Sequence, residues 1–202
     1  SPEGPHRTAD TDEDDRRALM ADLEFEVTEL SDLVAELVEL STDPETGSEP
    51  VEEFVLGDLV DEVAERARRR TGRTVVVHHD GTGSVTARRG DVERAVLNLV
   101  DNACKFSPSD TSVEVLVGAN RVEARDHGPG VADEDKELIF HRFYRATAAR
   151  STQGSGLGLS IVDQVARRHG GETWVRDAEG GGAIIGFTLG APPSVAAAER
   201  ND

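Results

Sequence analysis

An α+β fold, with helices laid on one face of a mixed β-sheet, is what residues 51–190 of this sequence predict, and three observations point to it. Short valine-rich runs are interspersed with longer stretches whose apolar residues recur at helical spacing. Strand-like runs also stand next to each other in pairs, at 113–118 with 122–126 and at 173–176 with 183–189. Turn residues separate the members of each pair: Asn120 in the first, Gly180-Gly181-Gly182 in the second. Such an order of elements gives strands in one sheet with helices gathered on one side of it.

The elements follow in chain order. Residues 1–15 combine Pro2, Gly4 and Pro5 with Asp10, Asp12, Glu13, Asp14 and Asp15, a composition too polar to order itself, and read as an acidic disordered tail. From Arg16 to Ser41, the residues Met20, Leu23, Val27, Leu30, Val34 and Leu37 recur at steps of three and four, an a/d seam. Leu33, Val38 and Leu40 widen that stripe, as in one helix of a bundle or dimer; packing onto the chain's own domain is the alternative. Residues 42–50, with Pro44, Gly47 and Pro50, form a linker and a domain boundary. A strand is expected at 51–55, a helix at 58–70 with Leu59, Val60, Val63 and Ala67 inward, and strands at 73–79 and 85–87. A helix follows at 91–106, with Val92, Val96, Leu99, Ala103 and Phe106 on one stripe. The two strand pairs flank a long loop at 130–155 and a helix at 156–169, and residues 191–202 read as a loose tail.

The net charge of −18 is unevenly placed: residues 1–65 hold 22 acidic and 3 basic side chains, leaving 18 and 19 for the rest. Without a basic face, nucleic acid is excluded as a general partner. An acidic ligand must be held by local donors. Cys104 is the single cysteine, so no internal disulfide exists, and no Cys or His cluster has zinc-ligand spacing. A reducing cytoplasm is the compartment these features suggest. No apolar run reaches the roughly 20 residues of a membrane helix, although a membrane-anchored parent protein is compatible with that.

The helix at 91–106 carries a second, polar face, where Asn98, Asn102 and Lys105 stand at i, i+4 and i+7. Two carboxamides and an ammonium suit a metal-bound polyphosphate, since an amide oxygen ligates Mg²⁺ and lysine supplies a compact charge. On spacing alone, a solvated helix face is the favoured reading of these three residues. Lys105 stands out as one of two lysines. Asp126-His127-Gly128-Pro129-Gly130 follows a strand, and its carboxylate suits the exocyclic amine of adenine. Gly154-Ser155-Gly156-Leu157-Gly158 opens the helix at 156–169, and amides at a helix start favour an anion. No strand leads into this glycine run and no βαβ unit follows, so a dinucleotide fingerprint is rejected. The run reads instead as the end of a lid spanning about 131–155, with Phe140, Phe143 and Tyr144 within it. Phe140 and Phe143 are expected to be packing residues, while Arg142, Arg145 and Arg150 add positive charge.

In this order, NLVDNACKF (98–106), DHGPG (126–130), FHRFYR (140–145) and GSGLG (154–158) resemble the N, G1, F and G2 boxes of sensor histidine kinases. The resemblance covers roughly residues 16–190 and implies the ATPase sandwich of that family, preceded by the second helix of a dimerisation hairpin. It implies ATP and Mg²⁺ as ligands, with the metal on Asn102 and a catalytic part for Asn98 and Lys105 beside the phosphates. Phe106, Asp126, Gly128, Gly130, Gly154, Ser155, Gly156, Leu157 and Gly158 would complete the nucleotide site. Asp101 stands where the family often has an acid. Related gyrase-type ATPases have a water-activating Glu where this chain has Asn98, so hydrolysis is expected to be weak beside transfer. None of the six histidines has the context of the family's phosphoacceptor, and His6 lies in the acidic tail. The chain thus reads as a cytoplasmic kinase core cut after the first hairpin helix, phosphorylating a histidine outside it. A response regulator receiver domain and a homodimer through residues 16–41 are the implied partners. An anti-sigma-type serine kinase of the same superfamily and a nucleotide-sensing module without transfer are the alternatives.

Overall fold

The computed structural model describes residues 50–81, 83–146 and 155–190. Apart from Ser155 these belong to one compact unit, residues 49–152 and 156–202. The acidic tail, the seam helix, all of the linker but Pro50, Arg150, Gly154 and the C-terminal tail lie outside the described residues.

The chain forms β1 (Glu52–Val55), α1 (Leu56–Thr71), β2 (Val75–His79), β3 (Ser84–Ala87), α2 (Arg89–Phe106), β4 (Val113–Val117) and β5 (Arg121–Arg125). After the lid region come α3 (Gly158–Arg168), β6 (Thr173–Asp177) and β7 (Ala183–Thr188). Five strands make one sheet in the order β2-β4-β5-β7-β6, while β1 and β3 pair separately. Only β2 and β4 run parallel in the large sheet, because α2 carries the chain between them; the other neighbours are antiparallel.

Alternation along each strand decides which face is covered. Val113, Val115 and Val117 of β4, Val122 and Ala124 of β5 and Ile185 and Phe187 of β7 are buried. They meet Leu59, Val60, Val63 and Ala67 of α1, Val92, Val96, Leu99 and Val100 of α2, and Val162 and Val165 of α3 in one core. Each such side chain contributes about 1.5–3 kcal/mol through burial. The opposite face of the sheet carries ion pairs beside Trp174, which packs over Gly186. Arg176 meets the buried Glu123 at 2.6 Å, and Arg125 lies 3.7 Å from Glu114.

Helix α1 ends where Gly72 takes a left-handed φ of 67° and returns its amide to the Arg68 carbonyl. Between α1 and α2, the pairs Arg66–Glu93 and Arg89–Glu62, each at 2.6 Å, and Arg70–Asp101 bridge the two surfaces. Exposed pairs of this kind are worth about 0–1 kcal/mol each, so they set register more than stability. Asp101, singled out in the sequence, is taken up by this ladder.

The β6–β7 connection turns through Gly180, Gly181 and Gly182, all left-handed, with φ of 84°, 105° and 89°. A Cβ on Gly182 would stand 2.0 Å from the Asp126 carbonyl oxygen, whereas one on Gly181 would meet nothing within 4 Å. Gly182→Ala is therefore expected to cost about 3 kcal/mol, backbone strain and overpacking together, and Gly181→Ala about 1–2 kcal/mol from strain alone. Urea unfolding midpoints compare the two; equal losses would mean that the close approach to Asp126 carries no energy.

Candidate nucleotide site

Helix α2 places Asn98, Asn102 and Lys105 on the flank not used by its buried residues Val92, Ala95, Val96, Leu99, Val100 and Ala103. Asn98 and Asn102 are half-buried and Lys105 is exposed. The Asn98 amide donates from Nδ2 to the Arg94 carbonyl of its own helix at 2.9 Å. Its Oδ1 faces the first residue of α3, where a Cβ on Gly158 would lie 3.0 Å away. Glycine at 158 thus lets α3 begin directly against the asparagine face. Asn102, one turn further on, bonds to no described residue, which leaves a neutral hard oxygen and two amide hydrogens for a ligand. Lys105 lies 5.2 Å from the centroid of the Phe106 ring, a cation–π spacing that keeps the ammonium at the end of the helix.

Ser107, buried behind Phe106, ties this helix end to the next segment. Its hydroxyl accepts a hydrogen bond from the His127 amide at 3.1 Å, and Gly128 approaches the Phe106 carbonyl so closely that a Cβ would stand 2.5 Å from it. Gly130 makes the turn with a φ of 77°, so the two glycines divide the work: one permits proximity, the other the bend. Asp126 at the head of the turn is only 4 % exposed. Its Oδ1 accepts from the amides of Gly128 at 2.8 Å and Ala183 at 3.2 Å. Burial pushes the Asp126 carboxyl above its ordinary value, against the opposing pull of those two amides and His127. The second oxygen accepts no bond from a described residue and remains available.

The described part of the lid region, residues 131–146, is a series of turns rather than a helix. Ile139 enters the core, and Phe140 and Tyr144 pack against it. Phe143 departs from its expected packing role: it is 56 % exposed and takes a left-handed φ of 63°. The Tyr144 hydroxyl donates to the buried Asp135, closing the stretch on itself. Lys136, the other lysine, joins Asp133 at 2.6 Å and Asp177 at 2.9 Å, and both carboxylates raise its pKa. Gly156, with a φ of 80°, backs onto Phe143 and Tyr144, where a Cβ would meet the Tyr144 carbonyl oxygen at 2.9 Å. Leu157 is buried, its carbonyl bonds the Ile161 amide and the Ser160 hydroxyl, and no side chain caps α3. Ser155 is half-buried.

Contacts thus join all four sequence segments: α2 to the Asp126 turn through Ser107, α2 to α3 at Asn98, and α3 to the aromatic turns at Gly156. Sequence reasoning missed four residues that hold this arrangement. Ser107 follows the helix it anchors to, and nothing in its neighbourhood distinguishes it from an ordinary helix cap. Ala183 and Gly182 sit 57 and 56 positions beyond Asp126, and the triple glycine that signals their turn carries no hint of a carboxylate partner. His169 shows no sign of a partner in the sequence, yet Nδ1 lies 3.0 Å from the Val165 carbonyl and Nε2 accepts from the Arg88 amide at 3.1 Å. An open groove of about 600 Å³ lies on the other flank of α3, between Phe140, Arg142, Asp163, Gln164, Arg167 and Arg168, and holds none of the predicted site residues. Among the described residues no trio of His, Cys, Asp or Glu has the arrangement of a metal centre, and no helix is long and apolar enough to cross a membrane.

A family model described as "Histidine kinase-, DNA gyrase B-, and HSP90-like ATPase" matches residues 87–193. The signal transduction histidine-protein kinase/phosphatase MprB of Mycobacterium sp. (strain KMS) is 41% identical over 175 residues, 84% of this chain and 34% of that protein. Its counterpart in Mycobacterium leprae (strain TN) is 41% identical over 167 residues, 79% of this chain and 31% of that protein. The chain spans about a third of the length of these curated relatives. Among solved structures, a mycobacterial sensor histidine kinase MprB matches with a TM-score of 0.62 at 36% identity, over 70% of this chain and 99% of that one. The catalytic domain of histidine kinase ThkA matches with a TM-score of 0.60 at 29% identity, over 69% of this chain and 94% of that one.

Proposed function

Because the chain belongs to the histidine kinase, DNA gyrase B and HSP90-like ATPase family and carries the ATP-binding catalytic domain of a sensor histidine kinase, we propose that residues 51–190 transfer the γ-phosphoryl group of ATP to a histidine on another segment. From that histidine the group would pass to an aspartate of a response regulator. Residues 16–41 supply the second helix of a dimerisation hairpin in this reading, and the domain works on the cytoplasmic side of a membrane-anchored sensor.

The observation that carries the reading is the buried Asp126 carboxylate, with one oxygen held by two backbone amides and the other bonded to no described residue. A fixed acceptor of this kind takes the exocyclic amine of adenine and opposes the carbonyl that guanine presents at the same edge. Phe106, Gly128 and Gly130 border the base. Lys105 supplies positive charge for the phosphates, and the uncapped start of α3, at Gly156 to Gly158, offers backbone amides to them. Asn102 is the metal ligand: a lone carboxamide oxygen without a carboxylate cage fits Mg²⁺ arriving with a triphosphate, which retains most of its oxygens from phosphate and water. When bound, that ion neutralises charge on the transferring group.

Asn98 defines what the site does not do. With its nitrogen turned to the Arg94 carbonyl, it presents an amide oxygen beside Gly158. That oxygen takes no proton at neutral pH, so attacking water finds no base at this position and transfer to an incoming imidazole prevails over hydrolysis. Rate enhancement comes from holding ATP in line with that nucleophile.

Amine labelling tests the reading, because the chain has two lysines. A non-hydrolysable ATP analogue with Mg²⁺ is expected to slow labelling of Lys105 at least about tenfold while leaving Lys136 unchanged. ATP should then phosphorylate an added hairpin fragment on histidine. Saturable protection without transfer favours a nucleotide-sensing module, acid-stable phosphoserine on a partner favours a serine kinase, and no protection at Lys105 removes the nucleotide site altogether.

A further inference from the structure

At the foot of β2, one side chain reaches back to the far end of α2. Arg73 donates from Nη1 to the carbonyls of Cys104 and Ser107, both at 3.1 Å. From Nη2 it donates to Pro108 at 2.6 Å and Thr111 at 3.3 Å. Its Nε is buried without a hydrogen bond, and no carboxylate forms an ion pair with it among the described residues. The guanidinium is matched instead to the negative end of the α2 dipole, where the last carbonyls of a helix lack partners of their own. The loop after the helix is wound on the same group, since the Pro108 carbonyl also accepts from the Thr111 amide at 3.1 Å and hydroxyl at 2.9 Å.

What Arg73 holds is the support of the adenine acceptor. Ser107, one of its four partners, is the residue whose hydroxyl receives the His127 amide, and Phe106, directly before it, is the residue against which Gly128 packs. We propose that Arg73 is a positioning residue for nucleotide recognition: by fixing Lys105, Phe106 and Ser107 at the end of α2, it sets the turn that carries Asp126. The role rests on the ATP reading given above. Because the planar fork serves four carbonyls at once, lysine keeps the charge but not the geometry.

The test uses the whole chain with an added hairpin fragment as phosphoacceptor, and compares Arg73→Gln, Arg73→Lys and Ser107→Ala. Arg73→Gln is expected to raise KM for ATP about tenfold with kcat changed less than about twofold, and to speed exchange of the His127 amide by about tenfold, the loss expected of one charged hydrogen-bond network. Arg73→Lys, the milder change should the first variant fail to fold, is expected to fall between it and the parent. In a Ser107→Ala background the effect of Arg73→Gln on KM should shrink, because both act through one path. Unchanged KM and His127 exchange in folded Arg73→Lys would overturn the role, as would full additivity with Ser107→Ala. A parent chain that binds no ATP analogue would overturn the site reading and this role with it, whereas normal binding by the parent with an indifferent Arg73 variant would remove only the role.

Discussion

Replacing Asn102 by alanine is expected to abolish phosphorylation of an added hairpin fragment, with transfer falling at least about 100-fold, or about 3 kcal/mol of barrier. The side chain is half-buried on α2, its removal breaks no hydrogen bond among the described residues, and the helix gains slightly from alanine. Thermal unfolding should therefore be unchanged or marginally raised while activity disappears. Such a separation between folding and transfer marks a ligand-directed group. Asn102→Asp retains a hard oxygen but sets a negative charge beside the phosphates, and some transfer should survive at raised Mg²⁺. Undiminished phosphorylation by the alanine variant, measured by acid-labile label on the fragment, would reject the metal role.

Asp126→Asn should likewise give a protein at least as stable as the parent, here one that has lost its nucleotide. The Gly128 and Ala183 amides both donate to Oδ1, so the asparagine oxygen must remain there and its NH₂ takes the place of the open oxygen. Donor then faces donor at the adenine amine, and affinity for a non-hydrolysable ATP analogue is expected to fall about 10- to 100-fold by calorimetry. The stability side follows from burial, the leading cause of the raised Asp126 pKa. When the folded value lies above the unfolded value of 3.8, the proton stabilises the fold; that contribution is complete below the unfolded value and disappears as pH rises through the folded one. Near neutrality the parent carries a desolvated charge that asparagine does not, so the variant should unfold at an equal or higher temperature. Its pH dependence just above pH 3.8 should also be flatter. Unaltered affinity for the ATP analogue would remove Asp126 from base recognition.

The order of strands and helices was legible because each element announces its period. Val113, Val115 and Val117 alternate into the core, and Leu59, Val60, Val63 and Ala67 trace one helical stripe. Even the turns are written locally, in Asn120 and in the triple glycine. The separate pairing of β1 with β3 is not, since neither strand states its partner. In the site, the polar face of α2 and the Asp126 turn stand out as residue types at fixed spacing. What fastens them to each other does not, because each fastening joins distant residues through groups that every chain possesses. The Ser107 hydroxyl meets a backbone amide 20 residues on, and the Ala183 amide meets Asp126 across 57. Arg73 gave no sign at all, for its partners are four carbonyls. Phe143 misled for the reverse reason: a large aromatic beside Phe140 invites burial, yet its left-handed backbone turns it outward.

Both ends of α2 are stitched from outside, by the His169 imidazole at the Arg88 amide and by the Arg73 guanidinium at the terminal carbonyls. A rod pinned at each tip serves as a ruler: distances measured along it stay constant while neighbours adjust. An arriving nucleotide should find the spacing from Asn98 to Lys105 already laid out, and free and loaded forms should superpose on this helix more closely than on any other stretch of the domain.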